Sequence, residues 1–159
     1  DRPYIPKVGA RIMSLGDPTS KMSKSDPTGC VFLMDSPEEI SRKFKRAITD
    51  SDTERCVRYD PENKPGVANL MNIYASVTGK SFDEIESEFA GKGYGVFKPA
   101  VGDAVIETLR PIRKEAERIL ADKAYLKQVY TDGAMKASSV ARKTLRKVYK
   151  RVGLVEKPF

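Results

Sequence analysis

Five consecutive residues, Lys21-Met22-Ser23-Lys24-Ser25, have the composition of a polyphosphate clamp. Two lysines with small hydroxyl residues around them can place two cations and two donors about one anionic group. Asp17-Pro18 before the run and Asp26-Pro27 after it mark irregular backbone, because a residue ahead of proline is steered away from helical angles. A mobile loop of this kind suits a group that is gripped during a reaction and then released. A solvated surface turn can have the same composition, so the five residues gain their meaning from the rest of the chain.

The composition narrows the chemistry. There is no histidine among the 159 residues, which excludes a Ser-His triad, a histidine base and a histidine-ligated metal in this chain. Whatever happens here runs on lysine, carboxylate and hydroxyl groups, which suits electrostatic clamping of phosphates. The two cysteines, Cys30 and Cys56, lack metal-ligand spacing and are expected to be reduced thiols. No apolar run approaches the roughly 20 residues that span a bilayer, and no signal-peptide pattern opens the chain, so a cytoplasmic protein without membrane contact is expected.

Charge is unevenly placed. Residues 1–132 hold 21 basic and 21 acidic side chains, whereas residues 133–159 hold eight basic side chains and one acid, a surplus equal to the whole formal charge of +7. Lys136, Lys143, Lys147 and Lys150 fall near one line at helical spacing, with Arg142 and Arg146 beside them. Such a line can follow nucleic-acid phosphates, although most charge runs are solvated helix faces.

The elements that would carry these groups are mostly helical. Two short apolar runs, residues 11–15 and 30–33, are expected as extended pieces flanking the loop. Ser36-Pro37-Glu38-Glu39 is a capping box with proline at the first helical position, and Ile40, Phe44, Ala47 and Ile48 continue it as an apolar stripe. Residues 51–66 read as a connection. Val67, Leu70, Met71, Tyr74 and Val77 form the next stripe, closed by Gly79.

Ser81-Phe82-Asp83-Glu84 is a second capping box, with Ile85 and Phe89 inward, and Gly91, Gly93 and Gly95 end that helix. A longer helix follows, with Val101, Val105, Leu109, Ile112, Ala116, Ile119 and Leu120 on one side, Pro99 in its first turn and a kink at Pro111. A short helix capped by Asp122 is expected next. Gly133 separates it from a last helix that carries Ala137, Ala141, Leu145, Val148 and Val152 and stops at Gly153. The fold class is therefore mainly α: a bundle-like domain of five or six helices behind an irregular segment that holds the loop.

Three blocks together resemble one family. GARIMSLGDPTSKMSKSDP (residues 9–27), RYDPENKPGVANLMNIYASVTGK (58–80) and GKGYGVFKP (91–99) are similar to the C-terminal half of a bacterial-type tryptophanyl-tRNA synthetase, over nearly the whole chain. The KMSKS run alone marks only a class I aminoacyl-tRNA synthetase; the two later blocks separate the tryptophanyl from the tyrosyl enzyme. The resemblance implies residues 1–34 as the tail of the catalytic domain with its KMSKS loop, and residues 35–159 as a helical anticodon-side domain. It implies a tryptophan–tRNA ligase with ATP as a substrate, Mg2+ carried by the nucleotide, and no metal held by this chain. The implied partners are tRNA(Trp), ATP and tryptophan, with a homodimer for the full-length enzyme and a monomer for this part alone.

In the implied reaction, tryptophan's carboxylate attacks the α-phosphate of ATP and pyrophosphate leaves. Lys24 is the first candidate for the leaving-group contact and Lys21 the second. Ser23 and Ser25 would hold phosphates, Met22 would anchor the loop, Asp26 would brace it, and Ile12 would line the adenine site. Stacking of anticodon bases needs aromatics or arginine, for which Arg42, Arg46, Arg58, Tyr59 and Tyr74 are candidates. With the nucleotide-binding first half missing, the isolated chain is expected to be inactive. The alternatives are the matching part of a tyrosyl enzyme and a non-enzymatic helical RNA-binding module.

Overall fold

The structure is a computed structural model that describes residues 3, 6, 8–53 and 56–155. Glu54 and Arg55, within the expected connection, lie outside the described residues. Among the described residues five helices follow one another: α1 (Pro37–Arg46), α2 (Pro65–Thr78), α3 (Phe82–Glu88), α4 (Tyr94–Ala121) and α5 (Lys123–Val152). The chain forms two compact units, Asp1–Arg113 and Lys114–Phe159. No helix among the described residues is long and apolar enough to cross a membrane.

Both capping boxes form. Ser36 Oγ accepts from Glu39 N at 3.2 Å while Glu39 returns to Ser36 N at 3.0 Å, and Ser81 and Glu84 repeat the exchange at the head of α3. Gly79 ends α2 at φ 75°, a left-handed angle that glycine adopts without strain. The core of the first unit gathers Ile40 and Phe44 from α1, Val67, Leu70 and Met71 from α2, and Ile85, Phe97 and Val101, all fully buried. Tyr74, Phe89 and Phe97 meet edge to face, with Phe89 and Phe97 centroids 4.9 Å apart.

Four local expectations give way. Ile48 is outside α1 and half exposed; the helix stops at Arg46, and Ile48's backbone is used elsewhere. α4 begins at Tyr94 rather than near Pro99, so Pro99 stands beyond its first turn. Burial of Phe97 and anchoring of the Tyr94 hydroxyl outweigh the helix cost of Gly95. α5 runs through Gly133 without a break, making one helix of the expected two. Residues 30–33 form no strand. The β pairing among the described residues is limited to an isolated bridge between Met13 and Lys21.

α5 has no buried residue, and Leu145, Val148 and Val152 of its apolar stripe are all about half exposed. Cys30 and Cys56 are both free and buried.

Candidate functional site

The KMSKS loop stands on a narrow stem. Met13 and Lys21 pair antiparallel, with Met22 N donating to Ile12 O at 3.0 Å and Ser14 N to Ser20 O at 2.8 Å. The turn between them is closed by Asp17, whose carboxylate accepts from the Thr19 amide at 3.0 Å and from the Ser20 and Thr19 hydroxyls at 2.6 Å each. Those hydrogen bonds, led by Ser20, hold the Asp17 carboxyl below its ordinary value.

Past Lys21 the chain turns again, with Asp26 N donating to Ser23 O at 3.0 Å and Ser25 N to Ser23 Oγ at 3.3 Å. Asp26 braces this second turn. It accepts from the Thr28 hydroxyl at 2.7 Å, from the Thr28 and Gly29 amides at 3.2 Å and from Ser14 Oγ at 3.1 Å. The Thr28 hydroxyl is the main reason that its pKa is lowered. A Cβ on Gly29 would overlap both Ser14 Oγ and the Asp26 carboxylate, so the brace needs glycine there.

The stem is fixed to the helices behind it. Leu15 N donates to Gly29 O at 2.9 Å, and Ile48 N donates to Leu15 O at 2.8 Å. Asn69 of α2 takes both backbone groups of Met13. Ile12 and Met22 are half-buried and pack against the core. Lys21, Ser23, Lys24 and Ser25 are exposed, and among the described residues neither lysine has an ion-pair partner. The arrangement is a rigid root under two uncommitted ammonium groups.

Two of the arginine candidates lie near this root. Arg42 and Arg46, both exposed on α1, line a cleft of about 580 Å³ together with Gly16, Pro27 and Thr28 at the base of the loop. The carboxylate beside Arg42 is Glu39, at 4.0 Å. The neighbouring Lys43 turns inward instead, to Asp35 at 2.6 Å and the Cys30 carbonyl at 2.7 Å.

The other candidates are placed differently. Arg58 is half-buried and lies 3.4 Å from carboxylate oxygens of both Asp52 and Asp60, while Tyr59 stacks on Phe82 with centroids 3.8 Å apart. Tyr74 is not available for base stacking: it is 7% exposed and its hydroxyl donates to Glu88. Lys143, Lys147 and Lys150 are exposed along α5, in the second unit.

Lys64 is 3% exposed. Its ammonium reaches Asp50 at 2.9 Å, Asp52 at 3.0 Å and the Tyr94 hydroxyl at 3.0 Å. Tyr94 in turn meets Asp50 at 2.7 Å and the Cys56 carbonyl at 2.9 Å. Burial alone would lower the Lys64 pKa, but the hydrogen bonds to Tyr94, Asp50 and Asp52 prevail and hold it well above lysine's ordinary value.

A family model described as tRNA synthetases class I (W and Y) matches residues 3–110. The chain belongs to that class I synthetase family. Two curated relatives are the tryptophan–tRNA ligases of Wolinella succinogenes and Clostridium tetani, each 50% identical over 155 residues, or 96% of this chain. The chain spans about half the length of these relatives, 46% and 45%.

Among solved structures, the tryptophanyl-tRNA synthetase of Mycoplasma pneumoniae superposes with TM-score 0.69 at 30% identity, covering 94% of this chain and 45% of that one. The Campylobacter jejuni enzyme complexed with ADP and tryptophan gives 0.70 at 25%, covering 89% and 44%. A tyrosyl-tRNA synthetase from Aeropyrum pernix gives 0.53 at 26%, covering 76% and 37%.

Asn69 and the partners of Lys64 are positions of this synthetase-family chain that emerge from the fold. For Asn69 a signal was present: a lone amide inside the apolar run VANLM, at a position a helix must bury. For Lys64 there was none, because its partners stand up to 30 residues away.

Proposed function

We propose that this chain is the C-terminal portion of a tryptophan–tRNA ligase, which joins tryptophan to ATP's α-phosphate, releases pyrophosphate and passes the aminoacyl group to tRNA(Trp). What supports this reading is the combination of exposed Lys21 and Lys24 on a braced loop with 50% identity to tryptophan–tRNA ligases along nearly the whole chain. The lesser superposition on a tyrosyl enzyme favours tryptophan over tyrosine.

In that role Lys24, with Lys21 beside it, meets the negative charge that grows on the leaving oxygens. A lysine that tightens there only in the transition state raises kcat, whereas equal grip on bound ATP would lower KM alone. Ser23 and Ser25 hold phosphate oxygens, Met22 seats the loop on the core, and Ile12 lies beside the adenine. Mg2+ arrives with the nucleotide. Residues 1–34 act as the tail of the catalytic domain and residues 35–159 as the anticodon-side domain. There Arg42, Arg46, Arg58, Lys143, Lys147 and Lys150 serve as tRNA-binding groups. The working protein is a cytoplasmic homodimer. This portion by itself lacks the remainder of the site and catalyses no tryptophan-dependent exchange.

The test is Lys24→Ala in a ligase of the relatives' full length carrying this chain. Tryptophan-dependent ATP–pyrophosphate exchange should fall by roughly 10²–10³ in kcat. Undiminished exchange would falsify the reading.

A further inference from the structure

We propose that Asn69 is a positioning residue for the KMSKS loop, an assignment that rests on the loop reading above and extends it to a residue outside the loop. Asn69 is 4% exposed, within a stretch of α2 whose neighbours are all buried. An amide at such a depth is costly unless both of its ends are satisfied. Here both are. Oδ1 accepts from Met13 N at 2.8 Å, and Nδ2 donates to Met13 O at 2.9 Å.

The direction of those bonds gives them their consequence. In the stem, the pairing bonds run from Met22 N to Ile12 O and from Ser14 N to Ser20 O, on either side of Met13 and Lys21. The N–H and C=O of Met13 are therefore unused by the stem and point away from it. A further strand would ordinarily take them. Asn69 takes both instead, so a helix side chain supplies the two hydrogen bonds of a missing strand and fixes the one residue that pairs with Lys21.

Met13 is thus bonded to α2 on one side and lies opposite Lys21 on the other, between neighbours that make the stem bonds, while Lys24 sits exposed within the second turn. A loop that must deliver an ammonium to a developing charge needs a stem that does not shift when the tip moves. A displacement near 1 Å costs on the order of 10² in rate. Without Asn69 the Met13 groups are released, the stem is free to slide on α2, and the lysines lose their fixed reference.

The experiment is a double-mutant cycle in a ligase of the relatives' full length carrying this chain, read by tryptophan-dependent ATP–pyrophosphate exchange. Asn69→Ala is expected to lower kcat roughly 10–100-fold, with KM for ATP moved much less. In a Lys24→Ala background the same change should cost only a few-fold, because the group whose placement it serves is gone. Asn69→Leu, which keeps the volume without the amide, replaces the alanine variant if that one does not fold. A folded variant with full kcat overturns the proposal, as does an equal loss with and without Lys24, which would mean that Asn69 merely supports the fold. Full activity in Lys24→Ala alone would sink the loop reading itself and this proposal with it, so the two failures are told apart.

Discussion

The ammonium of Lys64 and the hydroxyl of Tyr94 lie 3.0 Å apart and tie the start of α2 to the start of α4. Asp50 completes the junction by taking both groups at 2.9 and 2.7 Å. Two residues before Asp50, Ile48 N donates to Leu15 O at the root of the loop. Two of the sequence blocks that carry the resemblance, one holding Lys-Pro-Gly and the other reading Gly-Lys-Gly-Tyr-Gly, thus meet in one polar network next to the loop's foundation. Gly66 belongs to the same junction, since a Cβ there would overlap the Ile48 carbonyl.

Removing the cation from this network should be expensive. Lys64→Met leaves Asp50 and Asp52 facing each other in a site only 25% and 29% exposed, at a cost of about 3–5 kcal/mol. Tyr94→Phe deletes one hydroxyl and should cost about 1–2 kcal/mol. Urea unfolding followed by circular dichroism would rank the two variants. Equal midpoints would show that the charge carries no special weight.

Alkali should act through the same residues. Burial, reinforced by Asp50, pushes the Tyr94 hydroxyl up to about 12 from an ordinary 10.0. A raised folded-state value means stability that is complete below the unfolded value and is lost as pH rises from 10.0 towards about 12. The raised Lys64 value acts in the same direction. Unfolding free energy measured across that interval should fall for the native chain and fall less for Tyr94→Phe.

Acid should act on the loop. Asp17 and Asp26 are held below their ordinary value by hydroxyl and amide donors, so their contribution is present above that value and is lost as pH falls through the folded one. Protection of the Thr19, Thr28 and Gly29 amides against exchange should fall at acid pH before that of the helical core. Uniform exchange in loop and core would contradict a locally braced loop.

Gly29→Ala should separate the loop from the fold. The added methyl strikes Ser14 Oγ and the Asp26 carboxylate, both belonging to the brace and neither to the helical core. Exchange activity of the full-length ligase should drop at least about 10-fold while the chain still melts cooperatively. A normal rate would mean that the brace is dispensable.

The α5 lysines should contribute to tRNA affinity and not to amino-acid activation. Replacing Lys143, Lys147 and Lys150 with glutamine should weaken tRNA binding and flatten its salt dependence by roughly 0.7–0.9 for each phosphate that is no longer neutralised. Pyrophosphate exchange without tRNA should stay unchanged. An unaltered salt slope would return these lysines to the role of a solvated helix face.

Local signals were enough for much of the architecture. The capping boxes at Ser36 and Ser81 and the stops at Gly79 and Gly153 depend on neighbours within a turn, so they read directly from sequence. The exposed KMSKS lysines and the turns around them were legible for the same reason. Tertiary packing decided what local preference could not. It carried α4 back through Gly95 to Tyr94, because Phe97 had a core to enter and the Tyr94 hydroxyl had Asp50 to meet. It turned Tyr74 from a candidate base-stacking ring into core, and it gave Lys64 and Asn69 partners up to 56 residues distant along the chain. A buried charge or amide is tolerated only where the folded chain returns its hydrogen bonds, and that return is set by three-dimensional proximity, which no stretch of sequence contains.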